Sequence, residues 1–254
     1  MKIQILYLFL LFPFLTFSQS ADSLKKLKDP KMMPKPNPIV VKKTPQDPDI
    51  GIYQLAIKYG DIEVAKNATY SMMQQHPDSI CYLDTLCRLY FSAGANAQTI
   101  LTAREYLAKD PSSLFIRELL AVSLGNLNKN KDALEQYEIL HKQTKSVYHA
   151  YQIAVLQYVL KRYGECETSL NAVIADSSAV TARVSINIDQ TQTQQVPLRA
   201  AAYNVKGVME KDLNLIEQAK ADFNEALKIY PEFVLAKNNI DGMNAKKEKP
   251  SPGN

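Results

Sequence analysis

A 34-residue period constrains this chain more than any other feature. Tyr203, Gly207, Ala219, Phe223, Ala226 and Pro231 set a large–small–small–aromatic–small–proline rhythm. Pro111 lies 34 residues after Pro77, and the next step of that length falls on Lys145. A fixed period of this size marks stacked helical or strand units, each too small to bury its own apolar face. Such stacks hold other molecules more often than they transform them.

From Ile50 onward the pattern reads helix, tight turn, helix. The first pair runs Ile52–Tyr59, turns at Gly60, and continues Ile62–Gln75. The second carries Leu83, Leu86 and Tyr90, turns at Ala93-Gly94, and presents Leu101 and Tyr106 before Pro111. The third uses Leu120, Ala121 and Leu124, a turn within Asn126–Asn130, then Ala133, Tyr137 and Leu140. In the fourth, Tyr151, Ala154 and Tyr158 precede a turn near Tyr163-Gly164, followed by Cys166, Leu170 and Val173. Apolar residues recur at three- and four-residue spacing throughout, and Gly, Asn and Asp tolerate the backbone angles of the turns. Cys87, Ala121 and Gly207 fall at one small position of the first helices; Ala133, Cys166 and Ala219 fall at another on the second. Helices approach closely where such residues face each other.

These residues resemble the tetratricopeptide repeat (TPR) family. The match covers residues 50–233 and is most specific at Tyr203–Pro231 and Ala121–Tyr137. It implies an all-α fold, a right-handed α-solenoid of about five TPR-like helix pairs over residues 50–247, with Phe233–Asn244 as a capping helix. It also implies that the first helices line a concave groove. Counting every 34 residues, one ladder is Asp84, Glu118, Gln152 and Asn204; a second is Arg88, Val122, Leu156 and Val208. A third is Cys81, Phe115, His149 and Ala201. Phe115, Val122 and Leu156 would form an apolar floor beside polar groups, a surface suited to an extended peptide or a partner helix. Family members that grip acidic C-terminal tails use Lys, Asn and Arg along these ladders; here Arg88 alone is basic, so that mode is not expected.

The period breaks once. Repeats begin near Leu114 and Tyr148, but the last begins near Ala200, about 18 residues late. Val184, Ile186 and Ile188 alternate with polar residues, Asp189–Gln195 is a polar run, and Pro197 follows, which predicts a short β-hairpin insertion at about 180–198. It reads equally as a tolerated decoration or a second recognition surface, since doubling a loop's length costs only about 0.6 kcal/mol.

Little in the chain points to catalysis. His76, His141 and His149 form no metal-ligand spacing, and no Gly-rich phosphate loop or nucleophile elbow is present. No metal, cofactor or enzymatic activity is expected. Net charge is +4, but residues 21–49 carry +3, the Lys246–Lys249 tail +2 and Lys2 +1, leaving −2 for residues 50–243. A nucleic-acid footprint needs its basic residues on a folded face, so that partner is disfavoured. The expected partner is a protein or peptide.

The chain start reads as a processing segment. Lys2 precedes a 15-residue apolar run, Ile3–Phe17, and Thr16–Ser20 offers small-x-small cleavage patterns. Residues 1–20 are expected to be a signal peptide, and the protein exported to the periplasm or cell envelope. Membrane association would follow only from an uncleaved signal, and no cysteine precedes Cys81 to carry a lipid. Residues 21–49, with six prolines among lysines, read as an extended linker, and 248–254 as a disordered tail. Cys81 and Cys87, six apart on one helix, stand roughly 9 Å apart and cannot bridge while that helix is intact. Cys166 could meet one of them only across two repeats, and small buried packing cysteines are the favoured reading.

Overall fold

The computed structural model describes residues 48–189 and 191–247. The expected signal peptide, the expected disordered tail and nearly all of the expected linker therefore lie outside the described residues. Five helix–turn–helix pairs follow one another: α1 (Pro48–Tyr59) with α2 (Ile62–Gln75), α3 (Ile80–Ser92) with α4 (Asn96–Lys109), and α5 (Leu114–Asn126) with α6 (Asn130–Thr144). Then come α7 (Val147–Val159) with α8 (Tyr163–Ala175), and α9 (Leu198–Asp212) with α10 (Ile216–Ile229). A last helix, α11 (Val234–Lys247), packs on the final pair. Each helix touches chiefly its neighbours in sequence, the arrangement of an α-solenoid.

All five pairs turn in the same way. One residue adopts left-handed backbone: Gly60 (φ 74°), Gly94 (72°), Asn128 (56°), Lys161 (59°) and Asn214 (62°). The next residue's N–H then reaches back five positions: Asp61 to the Ala56 carbonyl, Ala95 to Tyr90, Lys129 to Leu124, Arg162 to Gln157 and Leu215 to Glu210, all at 2.8–2.9 Å. These bonds satisfy carbonyls that a helix end would otherwise leave open.

The left-handed residues recur after 34, 34, 33 and 53 positions. The fourth repeat thus arrives one residue early, and the longer last interval returns the fifth to its counted place. The cause is the joint between α6 and α7. Only Lys145 (φ 54°) and Ser146 separate those helices, whereas residues 110–113 separate α4 from α5. The fourth turn consequently lies at Leu160–Arg162 rather than near Tyr163-Gly164, and Gly164 is inside α8.

Small side chains stand where helices cross. Ala65, Thr99, Ala133, Cys166 and Ala219 open the second helices at 0 % exposure. Facing them, Cys87, Ala121 and Ala154 on the first helices are equally buried. Approach is closest at Gly207, where an added Cβ would sit 2.8 Å from the Phe223 ring and 3.0 Å from the Ala219 carbonyl oxygen.

The insertion holds a 3-10 turn (Ser177–Val180) and an antiparallel hairpin, β1 (Arg183–Asn187) with β2 (Thr193–Pro197). Thr193–Gln195, expected in the tip, are strand. Hydrogen bonds from Leu198 to Ala182 and from Ile188 to Gln192 place Pro197 at a position whose missing N–H points away from its partner strand. Val184 and Val196 pack into the core of the last repeats. Gln194 clamps the start of α11: its amide nitrogen donates to the Glu232 carbonyl, and its oxygen accepts from the Val234 N–H at 3.1 Å. The hairpin is a strap across the last two joints of the stack.

Candidate binding groove

The first helices of successive repeats lie side by side, and the ladder residues meet across those contacts. On α3, Arg88 grips Asp84 one turn earlier with two hydrogen bonds, of 2.7 and 3.0 Å. Its guanidinium carbon sits 3.9 Å from the centre of the Phe115 ring on α5. Planar cation, carboxylate and aromatic face thus form one unit, about an eighth of each charged side chain still exposed. Tyr53 on α1 borders it: burial raises its hydroxyl pKa, and the nearby Asp84 charge adds to the rise.

The next joint is built on Glu118. Its carboxylate is 28 % exposed and lies 3.8 Å from His149 Nε2 on α7. His149 is itself buried, with Thr144 Oγ1 2.9 Å from its Nδ1. Tyr148 stands edge-on to that imidazole at 5.8 Å, half-buried. Burial, and then the Glu118 charge, push its hydroxyl pKa well above the ordinary tyrosine value.

Two expected floor residues are core residues instead. Val122 is 1 % exposed and Leu156 0 %, both packed in the cluster of Leu119, Leu124, Tyr137 and Leu140. For Leu156 the reason is register: the short α6–α7 joint makes Tyr148, Tyr151 and Val155 the equivalents of Phe115, Glu118 and Val122, displacing His149, Gln152 and Leu156 from the counted ladders. Val122 is at the counted position, but its neighbours close over it. Gln152 and Asn204 are also buried, and Asn204 accepts a 3.1 Å bond from Asn239 on α11. Val208 remains half-buried, against the cluster of Phe223 and Met243. What stays accessible is a strip of Tyr53, Asp84, Arg88, Phe115, Glu118 and Tyr148, each neither buried nor fully exposed. Even counting missed Tyr148; the absence of a proline at position 145, where Pro77 and Pro111 predict one, was the available signal.

The reactive residue types are placed for packing. Burial pushes the Cys87 and Cys166 thiols up to about 12, which keeps them protonated and unreactive, and all three cysteines are free. Among the described residues no cluster of three His, Cys, Asp or Glu could hold a metal ion. No helix among them is long and apolar enough to cross a membrane.

The stack matches solved structures over most of its length. YrrB, described as a TPR protein with an unusual peptide-binding site, superposes with a TM-score of 0.60 at 14 % identity, covering 76 % of this chain and 91 % of that one. The fold is a TPR fold. A TPR protein from Parabacteroides merdae gives 0.60 at 16 % identity, over 78 % and 73 % of the two chains. MamA gives 0.57 at 14 % identity, over 81 % and 96 %. No family model matches the sequence, nor does any curated protein at a significant level. The TPR likeness is therefore carried by the spacing of helices, turns and small residues rather than by overall sequence identity.

Proposed function

We propose that this chain is a non-catalytic scaffold or adaptor that binds a peptide or helix of a partner protein along its first-helix face, in the cell envelope. The observation that carries this reading is the strip from Tyr53 to Tyr148. It joins partly open aromatic faces to a fixed ion pair and an accessible carboxylate on four successive repeats. Such a surface offers apolar area and directional hydrogen bonds together, as peptide-binding grooves do. The peptide site described for YrrB supports the same use of the fold. The envelope location rests on the N-terminal sequence pattern. Replacing Phe115 and Glu118 by Ala tests the site: loss of partner binding with unchanged helix content supports it, and full retention of binding contradicts it.

The competing reading is a structural or assembly part that acts by self-association. The outer face of α1 favours it, for Ile52, Leu55 and Tyr59 are 45, 56 and 74 % exposed along one side. The other end of the stack closes with a helix whose outward residues Lys237, Asn238 and Asp241 are polar. Solenoids need polar end faces to remain monomeric in solution. Light scattering across a concentration series separates the readings: a monomer that Leu55→Glu leaves unchanged favours the adaptor, and an oligomer that this substitution dissolves favours assembly.

A further inference from the structure

The joint between α8, α9 and α10 contains a charged seam where the equivalent positions of the preceding repeats hold uncharged residues. Lys206 on α9 occupies the position of Leu86, Leu120 and Ile153 in the three preceding repeats, all of them buried. One turn later, Glu210 occupies the position of the buried Leu124. Lys206 Nζ lies 3.3 Å from Asp222 Oδ2 on α10 and 4.0 Å from Glu210 Oε1. Glu210 is 8 % exposed as a whole residue. Glu210 Oε2 is a buried acceptor with no hydrogen-bond partner, and Asp222 Oδ2, buried as well, has only the Lys206 ammonium at 3.3 Å beside it. Two ionised carboxylates beside one ammonium leave this seam with an uncompensated negative charge. A single proton removes that charge and gives the two acceptors a bond to each other.

We propose that Glu210 and Asp222 share a proton across the α9–α10 seam, beneath Lys206, and that this proton sets how firmly the fifth repeat is closed. The groups facing the pair are Lys206 from α9 itself, Asp222 from α10 and Glu167 from α8. Burial of Glu210 raises its pKa most, the Asp222 charge adds to the rise, Lys206 opposes it, and Glu167 adds a smaller repulsion. The result is a carboxyl held up at about 7, against 4.5 for an ordinary glutamate. Between those values the folded chain holds a proton that the unfolded chain has released. Stability from this group is therefore complete below about 4.5 and is lost as pH rises through about 7. The fifth repeat is a joint that tightens in acid.

Amide exchange at pH 5 and pH 8, corrected for intrinsic rates and referred to α5 and α6, tests this on the full chain. In the wild type, protection of α9 and α10 is expected to fall on the order of 100-fold more than that of the reference helices. In Glu210→Gln the same comparison is expected to change by less than about threefold, because the carboxyl that takes up the proton is gone. Glu210→Leu, which restores the residue type of Leu124, supplies the same comparison should the amide disturb folding. An equal pH response in wild type and variants, or no pH response in the wild type, overturns the proposal.

Discussion

Single residues account for the sharpest features of this stack. Lys161 holds left-handed backbone at a turn where the first two repeats use Gly60 and Gly94. A side chain costs roughly 1 kcal/mol in that region, and Lys161 is exposed. Lys161→Gly is therefore expected to raise stability by about 0.5–1 kcal/mol, read as a higher urea midpoint. Gly207 has the opposite constraint. Ala there meets the Phe223 ring and the Ala219 carbonyl, so Gly207→Ala is expected to cost about 1–3 kcal/mol. Gly207 was legible in the sequence as a small position, because the rhythm of Tyr203–Pro231 marks it. Lys161 was not, since lysine carries no turn preference and only the backbone reveals its role. Val122 shows a different limit: periodicity puts it on the first-helix face, but how deeply neighbouring helices cover that face depends on their spacing. Val122→Asp would place an unpaired charge at a site 1 % exposed, and is expected to cost more than about 3 kcal/mol and to lower helix content measurably.

At the scale of elements, the joints matter more than the helices. Helix spans follow from apolar spacing and turn residues, and the sequence reading located all eleven described ones within a few residues. The α6–α7 joint escaped it, because the loss of two loop residues is partly masked by an α6 one residue longer than α4, which leaves a net shift of one. That single step moved three expected groove residues off their ladders. The hairpin was legible as alternating Val184, Ile186 and Ile188, but its purpose was not, since Gln194 and its partners at Glu232 and Val234 lie about 40 positions apart. Gln194→Ala removes both bonds, each worth about 1 kcal/mol. Amide exchange is expected to show Val234 and the first turn of α11 losing protection while α3–α6 keep theirs. An α11 that is unaffected would mean the hairpin is decoration after all.

For the whole molecule, function rests on what the stack leaves uncovered. Most ladder residues are spent holding one first helix against the next: Arg88 on Phe115, Glu118 near His149, Asn204 with Asn239. The open strip is confined to the first four repeats, and the strapped, proton-sensitive fifth repeat closes the far end. A partner should therefore be gripped by the N-terminal two thirds of the stack. The most direct measurement is affinity capture from crosslinked cells with the wild-type chain beside its Phe115→Ala, Glu118→Ala variant, at matched helix content. A partner retained by the wild type and lost from the variant is the predicted result. The same partner recovered equally by both would contradict binding along the first-helix face.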